Sequence, residues 1–281
     1  MRVFVYGTLL KGLERNKILG TSPCLGPALI SAMLYDLGSY PGIKEGSEPV
    51  VGELYDVDAS VLELLDQIEG YVRSNPGDSL YRRQTAPVQC FSDGRHLEAF
   101  AYYYAPPIDG REIIAHGDYR RYRLESKDEE QWLIAYGSNL STQRLKQRVG
   151  QISDTKTGFI EGYELSFNKA GANGNTYANT RYIGTHVACP AVAYKLALEQ
   201  AEMLDRFEGV PTHYMRVAIP FATVSGVEIV QSYITHPNKL VPERRPKDEY
   251  LGHIQKGYRE HALDATYLEH ALGRVTRLPC R

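Results

Sequence analysis

Two short motifs occur twice in this chain, in the same order, and a duplication of that kind asks for two separate cores. Arg2-Val-Phe-Val-Tyr6-Gly7-Thr8-Leu9 is echoed by Trp132-Leu-Ile-Ala-Tyr136-Gly137-Ser138-Asn139-Leu140. Each is an apolar run long enough for one buried strand, ending in Tyr-Gly, a small hydroxyl residue and a leucine. A second match follows each: Leu65-Asp66-Gln67-Ile68-Glu69-Gly70 and Leu204-Asp205-Arg206-Phe207-Glu208-Gly209. Tyr6 and Glu69 are 63 residues apart, Tyr136 and Glu208 72. Collinear repeats argue for two copies of one domain, and 281 residues suffice for two cores. The expected division is a first copy at 1–120, a charged linker at 121–131 and a second copy at 132–281.

Within the first copy, Val3 to Tyr6 reads as a buried strand. Residues 9–19 read as irregular, punctuated by Gly12 and Gly20. Leu25 to Tyr35 reads as a strand, Tyr40-Pro41-Gly42 as a turn, and Val50 to Val57 alternates as a strand does. Ser60-Val-Leu-Glu63 has the form of a capping box for a helix that Gly70 ends. Tyr81 to Gln89 and Glu98 to Tyr104 form a hairpin across Ser92-Asp93-Gly94. Asp118 to Gln131 carries charges of both signs, the pattern of a solvated helical linker.

The second copy repeats the scheme. Ser141 to Val149 reads as a helix capped by Asn139 or Ser141, Gly158 to Phe167 as a strand, and Ala170 to Asn179 as a Gly/Asn-rich loop. Val187 to Leu196 is the counterpart of Val50 to Val57, with a helix running on to Phe207. Tyr214 to Phe221 alternates like a half-exposed strand and pairs with Val227 to Ile234. A helical tail from Tyr250 to Leu272 has no equivalent in the first copy.

Composition narrows the function. With 32 basic and 34 acidic residues the net charge is −2, so no general field favours nucleic acid or an anionic membrane. No run reaches membrane length. Cys24, Cys90, Cys189 and Cys280 show no close pairing, the pattern of a reduced, cytoplasmic protein. The eight histidines lack metal-ligand spacing, and neither a Gly-x-Ser-x-Gly elbow nor a phosphate loop is present. No metal or cofactor is expected.

Two features carry chemistry. A glycine leaving a strand just before a helix exposes backbone N–H groups that can hold a carboxylate or a developing oxyanion. An ordinary strand-to-helix turn explains either Tyr-Gly turn taken singly; repetition beside a glutamate selects the functional reading. Glu69 and Glu208 each stand in the last helical turn before glycine, facing the negative end of the helix dipole, where charge on a carboxylate is disfavoured. Asp66 and Asp205 add to the acid excess. A destabilised carboxylate beside an anion-binding turn is what a general base requires. Tyr81 and Tyr214, at the start of the following strand, could orient the carboxylate or touch a substrate.

These residues resemble a known family. Tyr-Gly-Ser-Asn-Leu at 136–140 with Glu-Gly-Val at 208–210 looks like the γ-glutamylcyclotransferases. Val-Tyr-Gly-Thr-Leu at 5–9, Tyr40-Pro41 and Glu69-Gly70 look like the γ-glutamylamine cyclotransferase branch. The resemblance implies an α+β fold of two small mixed β-barrels with flanking helices. It implies Glu69 and Glu208 as catalytic acid/base, with Tyr6, Gly7, Thr8, Leu9 and Tyr81 in one copy, and Tyr136, Gly137, Ser138, Asn139, Leu140 and Tyr214 in the other, holding a small γ-glutamyl substrate. The reaction implied is intramolecular attack of the α-amine, releasing 5-oxoproline and an amine or amino acid. Gly52 matches the family's glycine in the strand before the helix; Ala191 stands at the corresponding place in the second copy. The alternative is one catalytic copy beside a copy that only binds a ligand or supports the structure.

Overall fold

In the computed structural model, which describes residues 1–276, each apolar run becomes a strand on which its own barrel closes. Two units result, Met1–Tyr122 and a second from Arg123 onward. The first contains β1 (Arg2–Val5), β2 (Cys24–Asp36), β3 (Pro41–Asp56), helix α1 (Ala59–Ile68), β4 (Tyr81–Cys90), β5 (His96–Tyr104) and helix α2 (Tyr119–Glu125), the last running across the boundary. Its barrel closes in the order β1-β3-β2-β4-β5. β1 is antiparallel to β3 and parallel to β5. Both faces of β1 are covered, which is why it reads as an unbroken apolar run. Phe4 packs with Ile30, Val50, Leu54 and Val88 on one side; Val3 and Val5 pack with Leu62 and Leu65 of α1 on the other. Each such side chain contributes roughly 1.5–3 kcal/mol.

Three readings of this unit need correction. Pro41 and Gly42 are already in β3, paired with Asp36 and Tyr35; the chain bends just before them, and proline is tolerated as a strand's first residue. The Val50 to Val57 strand is the latter half of β3. Helix α1 is capped by Asp58, whose Oδ1 accepts from Val61 N at 2.9 Å and from Ser60 Oγ at 2.7 Å, so Ser60 lies inside the helix. A carboxylate suits the positive end of the helix better than a hydroxyl.

The expected solvated helical stretch at 118–131 contains a helix but is buried at both of its ends. Tyr119 joins the first core, and Arg120, 2% exposed, pairs with buried Glu53 at 2.7 Å. Asp118 accepts from Arg120 N and Arg121 N. Gln131, in the next strand, donates to Leu124 O and Asp128 O. Arg120 thus finds a buried partner distant in sequence, whereas Ser126 to Glu129 are exposed.

The second unit contains β6 (Glu130–Ala135), α3 (Thr142–Val149), β7 (Asp154–Glu161), β8 (Tyr163–Ala170), β9 (Thr176–Tyr182), β10 (Ala188–Ala197), α4 (Leu198–Glu208), β11 (Tyr214–Thr223), β12 (Gly226–Thr235), α5 (Asp248–Glu260) and α6 (Thr266–Thr276). Its barrel runs β6-β10-β7-β11-β12 and closes through a parallel β12–β6 pairing. That is the cyclic order of the first barrel. Gly162, at φ 85°, breaks the expected 158–167 strand into β7 and β8. The expected loop at 170–179 contributes its last four residues to β9, and β8–β9 form a separate two-stranded sheet. The expected single tail helix is two, divided around Ala262 at φ 50°. β11 is not half-exposed: its first six residues are all buried, because Arg216 is enclosed by Glu125, Gln231 and Asp205.

One internal correspondence shows why both helices carry an aspartate. Arg83 pairs with Asp66 at 2.6 Å, and Tyr102 Oη donates to the same carboxylate at 2.7 Å. Arg216 pairs with Asp205 at 2.9 Å, and Tyr233 Oη donates to it at 2.8 Å. Each aspartate ties its helix to the barrel and does not load the helix end with uncompensated charge. Among the described residues no helix is long and apolar enough to cross a membrane. Cys90 and Cys189 are buried thiols; burial pushes Cys189 up to about 12. Cys280 lies outside the described residues.

Candidate active site

In the first unit the turn after β1 and the end of α1 meet across a cavity of about 190 Å³. Tyr6, Gly7, Thr8 and Leu9 line it together with Glu69, Tyr81, Tyr40, Pro41 and Arg15. Tyr6 Oη donates to Tyr102 O at 2.6 Å, and Tyr81 Oη donates to Pro41 O at 2.8 Å. Burial raises both phenols above their ordinary range, so these hydroxyls stay protonated and brace the walls. Gly7 is required by close approach: a Cβ there would lie 2.8 Å from Pro41 Cγ. Leu10 N donates to Gly7 O and closes the turn. Among the described residues nothing accepts from the Thr8 and Leu9 N–H groups, which border the cavity.

Glu69 is the C-cap of α1. Its carboxylate makes no hydrogen bond or ion pair with any described residue. Burial pushes its pKa up to about 7, with the Arg15 guanidinium pulling weakly the other way. A carboxylate titrating near neutrality beside unpartnered N–H groups can take up and return a proton.

The second unit repeats the frame with different fittings. Tyr136 Oη donates to Tyr233 O at 2.5 Å, and Tyr214 Oη to Ala178 O at 2.7 Å; Ala178 thus stands where Pro41 does. A Cβ on Gly137 would lie 2.9 Å from Ala178 Cβ. Leu140 N donates to Gly137 O, so Leu10 matches Leu140 and Leu9 matches Asn139. Leu140 is not a pocket residue: it is fully buried beneath α5, where a Cβ on Gly257 would lie 2.2 Å from its own.

Glu208 ends α4 in the place of Glu69, yet its surroundings differ. Arg148 Nη1 donates to Glu208 Oε1 at 2.7 Å and Asn139 Nδ2 donates to the same oxygen at 2.9 Å. Glu69 is therefore unpartnered and destabilised by burial, not by the helix end as expected, whereas Glu208 is ion-paired. Tyr250, from α5, seats its hydroxyl against the turn. It accepts from Ala178 N at 3.1 Å and is hydrogen-bonded to Ser138; burial pushes its pKa up to about 12. The inner pocket bounded by Tyr136, Gly137, Ser138, Asn139, Glu208 and Tyr214 is about 30 Å³. Gly52 is paired with Ala28 of β2 as Ala191 is with Gly158 of β7, the same place in the two barrels. A Cβ on Gly52 would lie 2.3 Å from Val5 O, a crowding that the second barrel avoids at Ala191.

Motif reading missed Arg15, Arg148 and Tyr250. All three come from segments whose approach to the site is set by tertiary packing. Among the described residues no group of three or more His, Cys, Asp or Glu is gathered to hold a metal.

Residues 3–121 match the family described as Gamma-glutamyl cyclotransferase, AIG2-like. The Gamma-glutamylcyclotransferase family protein YtfP of Escherichia coli is 34% identical over 120 residues, 42% of this chain and 96% of that protein. A putative gamma-glutamylcyclotransferase of Methanocaldococcus jannaschii is 31% identical over 125 residues, 43% of this chain and 97% of that protein. The gamma-L-glutamyl-butirosin B gamma-glutamyl cyclotransferase of Niallia circulans is 33% identical over 128 residues, 44% of this chain and 78% of that protein. The crystal structure of YkqA from Bacillus subtilis shares the fold along 100% of this chain and 99% of its own, with TM-score 0.79 at 21% identity. With the barrel, the Tyr-Gly turn and the facing glutamate in place, and with relatives matched over nearly their full length, the chain belongs to the γ-glutamylcyclotransferase family of enzymes.

Proposed function

We propose that the first unit converts γ-glutamyl amides to 5-oxoproline and a free amine, with Glu69 as the single acid/base. The observation that carries this reading is the unpartnered Glu69 carboxylate, titrating at about 7 against a cavity lined by the Tyr6-Gly7-Thr8-Leu9 turn. Such a substrate brings its own nucleophile. Glu69 removes a proton from the α-ammonium, and the freed amine attacks the γ-carbonyl carbon to close the five-membered ring. The Thr8 and Leu9 N–H groups stabilise the oxyanion. The C–N bond to the leaving group breaks as Glu69 returns the proton to its nitrogen and the oxyanion re-forms the carbonyl; the ring nitrogen gives up its second proton, by way of Glu69, to the released amine, which departs as an ammonium. Attack within one molecule starts with an effective molarity of about 10⁵ M or more, so neither thiol nor metal is required; turnover should persist in excess chelator and after thiol alkylation, and loss restored by zinc would end this mechanism. The relative named for γ-L-glutamyl-butirosin B supports a γ-glutamyl substrate.

By descent from one duplicated domain, Glu208 with Tyr136, Gly137, Ser138, Asn139 and Tyr214 would form the counterpart site. The ion pair to Arg148 and the 30 Å³ pocket favour a second reading for that unit, in which turnover belongs to the first unit and the second binds a ligand. The test is a panel of γ-glutamyl amines and γ-glutamyl amino acids, assayed for 5-oxoproline with the intact chain and with Glu69→Gln. Loss of release in Glu69→Gln supports the first-unit site; full activity in that variant and in Glu208→Gln rejects both glutamates.

A further inference from the structure

Outside the closed inner pocket of the second unit lies a hollow of about 380 Å³. Arg144, Arg148, Lys169 and Arg206 line it, and the only acid on its wall is Glu208. Lys169 is the unusual member. It sits on β8, 6% exposed, with Nζ 5.1 Å from the centroid of the Tyr177 ring and 5.3 Å from that of Tyr214, both on the same wall. No carboxylate comes within ion-pair distance of it among the described residues. A buried ammonium whose contacts are aromatic faces has lost its water, and Glu208, which acts on it electrostatically but beyond ion-pair distance and is itself paired with Arg148, compensates that loss only in part. Burial lowers its pKa, and Lys169 in turn lowers that of nearby His213. Arg144 Nε is buried with no partner, though Glu208 and Glu249 both act on this arginine electrostatically. Arg206, at the exposed rim, makes no ion pair with any described residue.

Four cations and one carboxylate leave this hollow about three charges positive, in a chain whose net charge is −2. The first unit's cavity, by contrast, has Arg15 as its one cation. We propose that the hollow binds a small dianion, a dicarboxylate or inorganic phosphate, with Lys169 as the buried anchor and Arg206 and Arg148 as the rim. Aromatic walls of Tyr177 and Tyr214 exclude water around the anchor and strengthen its attraction for the ligand. Partial neutralisation of Arg148 by the ligand would compete with Glu208 for the guanidinium and so link this site to the inner pocket. The site makes no use of Glu69 and stands whether or not the first unit performs the proposed chemistry.

Isothermal titration of the full chain with succinate, citrate and inorganic phosphate tests the proposal and separates the two ligand chemistries, with acetate as the monoanion control. Saturable binding of at least one dianion, weakening as salt rises, is expected, with acetate at least tenfold weaker. Lys169→Gln should reduce the affinity at least tenfold, and Arg206→Gln, an exposed position that spares folding, about threefold or more. Glu69→Gln should bind the dianion as the parent does, whatever its effect on turnover. Absence of dianion binding, or unchanged affinity in Arg206→Gln and Lys169→Gln alike, overturns the site. Failure of the dianions to bind together with loss of 5-oxoproline release from γ-glutamyl amino acids in Arg206→Gln would instead make the hollow the leaving-group end of a substrate site, and would also overturn the proposal.

Discussion

The two barrels share strand order, the Tyr-Gly turn, the Asp–Arg–Tyr tie between helix and barrel, and a glutamate at the helix end. They differ in what surrounds that glutamate. Glu69 faces a 190 Å³ cavity without a partner, while Glu208 is held by Arg148 and Asn139 beside a 30 Å³ pocket under Tyr250. One frame thus supports a carboxylate ready for proton transfer in one unit and an ion-paired one in the other. The lesson is that the backbone frame places the carboxylate, and side chains arriving from other segments decide its state.

The largest effect expected to separate the units is on turnover. Glu69→Gln should lower 5-oxoproline release from γ-glutamyl amines by about 10²–10⁴-fold, whereas Glu208→Gln should leave that release within a few-fold of the parent. Equal losses in the two variants would show that the second unit contributes to the same reaction and erase the functional contrast.

A second difference concerns stability and has opposite signs in the two units. Glu69 is raised from its ordinary 4.5 to about 7 in the folded protein. Below pH 4.5 both folded and unfolded states hold the proton and nothing is lost. As pH rises from 4.5 to 7 the unfolded state releases it first, so the folded state loses stability, and the full cost applies above 7. That cost is at most about 3 kcal/mol, and nearer 1–2 once solvent screening is included. Glu69→Gln should therefore raise the melting temperature at pH 8 and leave it unchanged near pH 4. Glu208→Gln deprives the partly buried Arg148 of its partner and should cost about 1–3 kcal/mol. Denaturation of both variants at pH 8 measures the two signs; stabilisation by both would show that the Arg148 pair does not hold Glu208.

The smallest effect sharpens the account of Glu69 itself. The rate against pH should rise with an apparent pKa near 7, as the carboxylate becomes able to accept the ammonium proton. Arg15 opposes the effect of burial, so Arg15→Gln should move that limb upward by a few tenths of a unit. A limb that does not move would assign the titration to another group.

Much of this was legible in the residues. Period-two and unbroken apolar runs place the strands because a strand's face, or both faces in β1, must be buried, and the repeat of Tyr-Gly and Glu-Gly marks two barrels with their glutamates. Local rules were less secure where a better group stood nearby, as when Asp58 displaced Ser60 as the helix cap. The stretch around Arg120 was misread because charge pattern alone does not show that a guanidinium will meet Glu53, 67 residues away, inside a core. The same blindness applies to separating the units as fragments: a cut after residue 125 would take Glu125 from Arg216 and Leu124 from Gln131, so the second unit should be started at Arg123.

By itself, then, the order of residues determined the duplication, the barrel strands and the placing of Glu69 and Glu208 at helix ends, all of which follow from near-neighbour periodicity and turn chemistry. The tertiary structure alone decided that Glu69 is unpartnered and Glu208 is paired, that Tyr250 covers the second turn, and that Lys169 is buried without an ion pair. Those properties depend on which distant side chains come within a few ångströms in a medium of low dielectric, where a single partner reverses the energetics of a charge.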